Sequence, residues 1–345
     1  MADVLVLRAI RGNARTLNLN GKRLQRVPRA VGSLSQLTSL LLKNNLLYQL
    51  PQEVAALSNL TLLNLGNNNF ETVPQELKYL YSLETLHLFG NKITEIPADV
   101  FDGLSNLISL NLNNNQLQHV PREIHKLQRL EKLSINNNCL RVVPKEMCAL
   151  QSLCELHLAN NQLETLPEHI GYLTNLRELR VYRNQLTGLP ENVCKLRKLN
   201  ILDVAGNQIQ SFPSHMDEVP LQELYCEENP LLKRQPVSAL QDEEILSLKE
   251  ITARFILSHV QNRDSLLREQ IQYYPEARTI LSSRNSCAQC GTWFLDMWLE
   301  CVKFVDVKKK MKTSSNLHLL PMKILLCSYR CFNQRQSDIF GVAVQ

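Results

Sequence analysis

The chain has 345 residues, 44% hydrophobic and 21% charged, with 10 Cys, 11 Gly and a net charge of +5. That length admits two ordinary domains, or one long repeat array with an appendage, and a composition rich in Leu and Asn excludes bulk disorder. Charge is spread evenly, 24 basic against 22 acidic residues through Val237 and 14 against 11 beyond it, which argues against nucleic acid or an anionic membrane as partner.

Asp3 to Gly12 reads as a short helix with an apolar face (Val4, Leu5, Leu7, Ile10), so residues 1–13 are expected to form an N-terminal capping helix. Asp3 stands where a signal peptide would carry positive charge, and the chain reads as not exported. No apolar run reaches the roughly 20 residues that span a bilayer; the stretch from Leu317 to Cys327 is broken by His318, Pro321 and Lys323. A soluble, cytoplasmic protein without membrane insertion is expected.

From residue 14 the chain repeats itself. A frame Leu-x-x-Leu-x-Leu-x-x-Asn-x-Leu starts at Leu37, Leu60, Leu83, Leu107, Leu130, Leu153, Leu176, Leu199 and Leu221, after a weaker copy at Ala14. Seven of the nine steps are 23 residues, one is 24 with its extra residue near Phe101-Asp102-Gly103, and the last is 22. An Asn ladder (Asn45 through Asn138 to Asn229), a Pro ladder (Pro28 to Pro213) and a returning apolar ladder (Leu34 to Val219) keep the same register.

Leu-x-Leu alternation predicts a short strand, and successive copies should pair in parallel. An Asn at the turn can use both ends of its amide on backbone groups that the core would otherwise strand. The Pro ends the strand segment and sets an extended path into the return. No copy can bury its own Leu side chains, so the copies must stack.

Nine consistent copies of this motif resemble the leucine-rich repeat, in the 23-residue Leu-Pro form of intracellular scaffold proteins such as Scribble, erbin and the Ras suppressors. The resemblance covers roughly residues 14–232. It implies an α/β fold, a leucine-rich-repeat solenoid with a curved parallel sheet on the concave side and short helical or irregular convex segments, of about ten copies over residues 14–236. It also implies protein binding on the concave face. Strand positions that would point out there include His87 and Phe89, Asn111 and Asn113, Ser134 and Asn136, His157, Arg180 and Tyr182, Asp203, and Tyr225. Aromatic and Arg residues anchor most protein interfaces, so Phe89, Arg180, Tyr182 and Tyr225 are the expected anchors. Strands about 4.8 Å apart make a face wide enough for a standard interface of about 800 Å² per partner. His87 and His157 stand three copies apart, about 14 Å, too far to share a metal or a proton.

After Pro230 the ladders stop. Ile245, Leu248, Ile251, Phe255 and Ile256 form a helical stripe, expected to cap the last Leu layer, and a weaker helix from Leu266 to Leu281 is interrupted near Pro275; residues 237–281 read as a helical cap. Lys308-Lys309-Lys310 with Lys312 reads as a solvated loop.

Residues 282–345 carry two Cys pairs, Cys287-x-x-Cys290-Gly291 and Cys327-x-x-x-Cys331. A C-x-x-C turn closed by Gly aims two thiolates at one point, and four thiolates can close a tetrahedral structural zinc site. The order knuckle, hairpin, helix start resembles a zinc-ribbon or treble-clef module, although the gap of 36 residues and the C-x-x-x-C pair depart from the usual spacing. Buried free cysteines and a redox dithiol are the alternatives; His318 is a weaker ligand candidate, and Cys301 reads as core. Cys139, Cys148, Cys154, Cys194 and Cys226 are scattered through the array; Cys148 and Cys194, two copies apart at about 10 Å, cannot pair, and free thiols with a four-thiolate site suit a reducing compartment.

No phosphate-binding, dinucleotide, zinc-protease or nucleophile-elbow motif occurs. The sequence therefore predicts a non-enzymatic, monomeric interaction scaffold or adaptor in signal transduction, with a protein partner, no nucleic acid and no organic cofactor. The alternative is a substrate-recognition subunit of a ubiquitin-ligase assembly that docks through the C-terminal module.

Overall fold

In the computed structural model each copy of the repeat gives one three-residue strand. The structure describes residues 2–232, 246–260, 265–295, 299–307, 311–313, 319–334 and 339–341. The chain divides into two compact units, Met1–Ile209 with Asp217–Pro230 and Lys308–Leu317, and Gln210–Met216 with Leu231–Val307 and His318–Gln345.

In the first unit, helix α1 (Ala2–Arg11) packs on the first 3-10 segment. It buries Ala2, Val6 and Ala9 and leaves Val4 and Leu7 exposed, so the inward face is one step round from the one the sequence suggests. The strands β1 (Thr16–Asn18), β2 (Ser39–Leu41), β3 (Leu62–Asn64), β4 (Thr85–His87), β5 (Ser109–Asn111), β6 (Lys132–Ser134), β7 (Glu155–His157), β8 (Glu178–Arg180), β9 (Ile201–Asp203) and β10 (Glu223–Tyr225) pair in parallel, each with the next. The period-2 alternation sends the middle residue of every strand inward, as Leu133 and Leu156 show, while its neighbours face out. Each Leu so buried contributes about 1.5–3 kcal/mol.

The Asn ladder ties copies together as its spacing predicts. Asn138 donates through Nδ2 to the carbonyls of Leu112 (3.0 Å) and Ile135 (3.3 Å), and its Oδ1 accepts the Leu117 N–H at 3.0 Å. One buried amide thus satisfies groups in two successive copies, and the pattern recurs from Asn45 to Asn229. The Pro ladder starts the returns: Pro51 to Pro190 hold φ between −75° and −59° with ψ between 131° and 147°, and a short 3-10 turn comes after each. The 24-residue copy places its extra residue in the longer turn Ala98–Gly103. Gly103 is required there, since a Cβ would stand 1.7 Å from the Lys78 carbonyl oxygen.

The second unit carries the helices α2 (Leu248–Val260), α3 (Leu266–Gln270) and α4 (Pro275–Ser282), the last with Pro275 in its first turn. Ala253 and Leu257 of α2 pack with Leu281 and Leu295. Of the stripe the sequence suggests as inward, Ile256 packs against this cluster partly buried, Leu248, Ile251 and Phe255 are exposed, and Ile245 lies outside the described residues. The inward face instead carries Glu250, whose carboxylate accepts the Leu295 N–H (3.1 and 3.2 Å) and the Arg254 Nε–H (2.7 Å). A buried charge survives only when paired in this way.

Next in the chain come a hairpin of β11 (Asn285–Ser286) and β12 (Trp293–Phe294), then β13 (Leu299–Asp306). In the first unit, β14 (Lys312–Thr313) adds an eleventh parallel strand beside β10. Lys312 is thus a strand residue, not part of a solvated loop, while Lys308–Lys310 lie outside the described residues. Back in the second unit, β13 lies antiparallel between β15 (Leu319–Leu326) and β16 (Ile339–Gly341), and helix α5 (Tyr329–Asn333) comes directly after β15. No helix among the described residues is long and apolar enough to cross a membrane.

Candidate functional site

The outward columns of the sheet are more internally bonded than their exposure in sequence suggests. Asn113 and Asn136 each accept, through Oδ1, a backbone N–H of the next copy at 2.7 Å (Asn136 and Ala159). Asn111 accepts the Asn113 N–H at 3.0 Å. These amides serve the fold through their Oδ1 atoms.

Across β6, β7 and β8 a polar row runs Ser134, His157, Glu178. His157 Nδ1 lies 3.2 Å from Ser134 Oγ and Nε2 lies 2.9 Å from Glu178 Oε1, the same oxygen that takes the Arg180 Nε–H. All three stand at outward strand positions that the sequence gives, but their alignment in one row became legible only once three strands were laid side by side.

Phe89 and His87 form a second patch. The Phe89 ring carries the Lys43 ammonium 5.2 Å from its centroid and meets His87 edge-on at 6.2 Å. His87 Nδ1 is buried and, among the described residues, without a hydrogen-bond partner. Burial, then the Lys43 charge, holds the His87 pKa below its ordinary value.

Between β8 and β10 the face opens into a notch of about 450 Å³. Tyr182 and Tyr225 line it with the small residues Ala205 and Gly206, and Asp203, Glu227 and Arg183 complete it. The Tyr225 hydroxyl donates to Glu223 at 2.8 Å. Burial raises the Asp203 pKa, with the nearby Glu227 and Glu178 charges adding to it, against the opposing pull of Arg180 and the Ala205 N–H. Gly206 holds φ +63°, and Arg183 and Glu228 adopt left-handed φ of 51° and 55° in the column that Asn occupies at 44, 67, 114, 137 and 160.

The second site is the thiol cluster. Sγ of Cys287, Cys290, Cys327 and Cys331 all lie within 4.8 Å of one another, with Cys290–Cys327 at 3.5 Å and Cys327–Cys331 at 3.6 Å. The knuckle closes through Gly291 N–H to the Cys287 carbonyl (2.9 Å), with Gly291 at φ +72°. The second pair is set where β15 passes into α5, whose cap Ser328 accepts the Cys331 N–H at 3.4 Å. Burial pulls the Cys290 thiol up, but the Thr292 hydroxyl and backbone, then the Cys327 and Cys331 thiols, outweigh it and bring it down to about 6. Cys327 and Cys331 are raised, by burial first and then by the Cys290 sulfur. No disulfide joins the ten cysteines, all of them described residues; Cys301 is core, and His318 lies outside the described residues. Burial pushes Cys148 and Cys226 up to about 12, which keeps them as unreactive thiols.

The repeats match the family model described as leucine rich repeat over residues 35–93, 81–140 and 128–186. Over its full length the chain is 79% identical to leucine-rich repeat-containing protein 69 of Xenopus laevis, covering all of both chains. The chain belongs to the leucine-rich repeat-containing protein 69 family. The human and mouse proteins of that name match at 46% and 47% over 123 residues, 36% of this chain and 35% of theirs. Among solved structures, a TDR receptor aligns with TM-score 0.60 at 25% identity, over 66% of this chain and 41% of the receptor. The plant peptide hormone receptor RGFR1 in complex with RGF2 aligns with TM-score 0.56 at 27% identity, over 63% of this chain and 36% of that one. Leucine-rich repeat proteins are in general interaction modules, and protein partners are what this fold suggests.

Proposed function

We propose that this chain is a non-enzymatic, monomeric scaffold or adaptor of the cytoplasm that holds a protein partner on its concave strand face in signal transduction. The notch walled by Tyr182 and Tyr225 carries the reading: two aromatic side chains beside a floor of Ala205 and Gly206 make a recess that a partner side chain can enter. The related fold of a plant peptide hormone receptor, solved in complex with RGF2, supports the view that a stack of this build can take a polypeptide. The Ser134–His157–Glu178 row reads as a polar ladder and not as a catalytic relay. The N–H groups beside Ser134 are committed to the His157 carbonyl and to Asn113 Oδ1, so no donors are free there for an oxyanion. Affinity capture with wild type and a Tyr182→Ala/Tyr225→Ala variant tests it. A partner kept by wild type and lost by the variant, at unchanged melting temperature, is expected. Recovery of ligase subunits through residues 238–345 alone would replace the scaffold reading with the recognition-subunit one.

The thiol cluster is proposed as a structural zinc site of Cys287, Cys290, Cys327 and Cys331. Zinc–sulfur bonds of about 2.3 Å in a tetrahedron put sulfurs about 3.8 Å apart, close to the 3.5 and 3.6 Å found. A zinc ion there would cross-link the knuckle to the β15–α5 junction. Cysteines without a disulfide and such a site fit a reducing compartment.

A further inference from the structure

The second unit holds a recess of about 760 Å³ lined by residues of α2, α3, α4 and β12. That volume lies in the range of small-molecule pockets, which combine apolar walls with a few convergent polar groups. Its inner wall is apolar, from Leu257, Leu281 and Ile271, with the Trp293 indole beside them. Beside Val260, Pro275, Thr279 and Ser282, the rest of the lining carries three cations, Arg268, Arg278 and Arg284.

These three Arg residues line one recess with no carboxylate among its described lining residues; Glu269 and Glu276 sit on α3 and α4 but off the wall. None of the three is paired with an acid among the described residues. Arg284 stacks its guanidinium carbon 4.1 Å from the Trp293 ring centroid and donates one N–H to the Leu281 carbonyl at 3.4 Å. Stacking holds the plane of the fork, and the remaining donors stay available to an oxyanion. Three unpaired cations above an apolar floor are complementary to one kind of ligand.

We propose that this recess binds a small amphipathic anion, an alkyl or aryl body that packs on Trp293 and Leu281 and carries a carboxylate or phosphate held by Arg278, Arg284 and Arg268. The proposal is independent of the strand face, which belongs to the other unit.

The test titrates the full-length protein with dodecyl phosphate, dodecanoate, dodecanol and inorganic phosphate, below micellar concentrations, by calorimetry and tryptophan fluorescence. Both amphipathic anions saturate at one per chain, and the stronger names the head group. Dodecanol and inorganic phosphate each bind at least about tenfold more weakly, since each lacks half of the complementarity. Arg278→Gln, at an exposed residue with no side-chain partner among the described residues, weakens both anions about tenfold, the size of one charged hydrogen bond, without moving the melting temperature. Arg284→Gln does the same and also reduces the fluorescence change. Equal binding of dodecanol, equal binding of inorganic phosphate, no saturable binding, or unchanged affinity in both Arg variants overturns the proposal.

Discussion

The phenyl ring of Phe89 lies across Gly66 of the preceding copy, so that a Cβ on residue 66 would fall 2.5 Å from the ring. The anchor that the sequence offers as a free aromatic is thus folded down on its own sheet. Gly66→Ala is expected to lift the ring at a cost of about 1 kcal/mol, and to cost almost nothing further when Phe89 is already Ala. Urea midpoints of the double-mutant cycle measure this; additive costs would mean that the ring does not rest on Gly66.

His87 is expected to titrate below the ordinary histidine value of 6.5, for burial first and the Lys43 charge second. Between 6.5 and the folded value the unfolded chain binds a proton that the folded chain does not. Stability therefore falls as pH drops through that window and levels off beneath it. Lys43→Met removes the second cause, so the His87 titration followed by NMR should move upward while staying below 6.5. An unmoved curve would contradict the placement of Lys43.

What the sequence makes legible is what repeats. The Asn138 ladder, the Pro turns and the parallel pairing come from spacing alone, and so does the convergence of Cys287 and Cys290 with Cys327 and Cys331, because β13 and β15 fill the long gap between the pairs. What depends on one side chain meeting another is not legible in this way. Periodicity places Leu248, Ile251 and Phe255 on one face of α2 but does not say that Glu250, paired with Arg254 and the Leu295 N–H, is the residue buried. Nor does any local pattern bring Lys312 beside Glu223 as an eleventh strand.

Asn138→Ala removes the donor to the Leu112 and Ile135 carbonyls and strands the Leu117 N–H. A loss of about 1–3 kcal/mol is expected, with partner binding at full strength once the variant is folded. Thermal melts beside Tyr182→Ala, which should show the opposite pair of effects, check it.

Removal of the proposed zinc is expected to act on the second unit alone. One zinc per chain is expected on elemental analysis. A chelator should loosen the second unit, seen as faster hydrogen exchange in β13 and β15, while the repeat strands keep their protection. Cys331→Ser should lower the zinc content in the same way. Zinc near zero from metal-replete cells would remove the site.

The strand face is tested most directly by covalent capture at two positions. A photo-crosslinking amino acid is placed at Tyr182, in the notch, or at Lys145, exposed on the 3-10 turn of the opposite side. The expected result is a partner adduct from position 182 that is lost with Tyr225→Ala, and none from position 145. Adducts from 145 in equal or greater yield, with none from 182, would contradict partner binding on the strands.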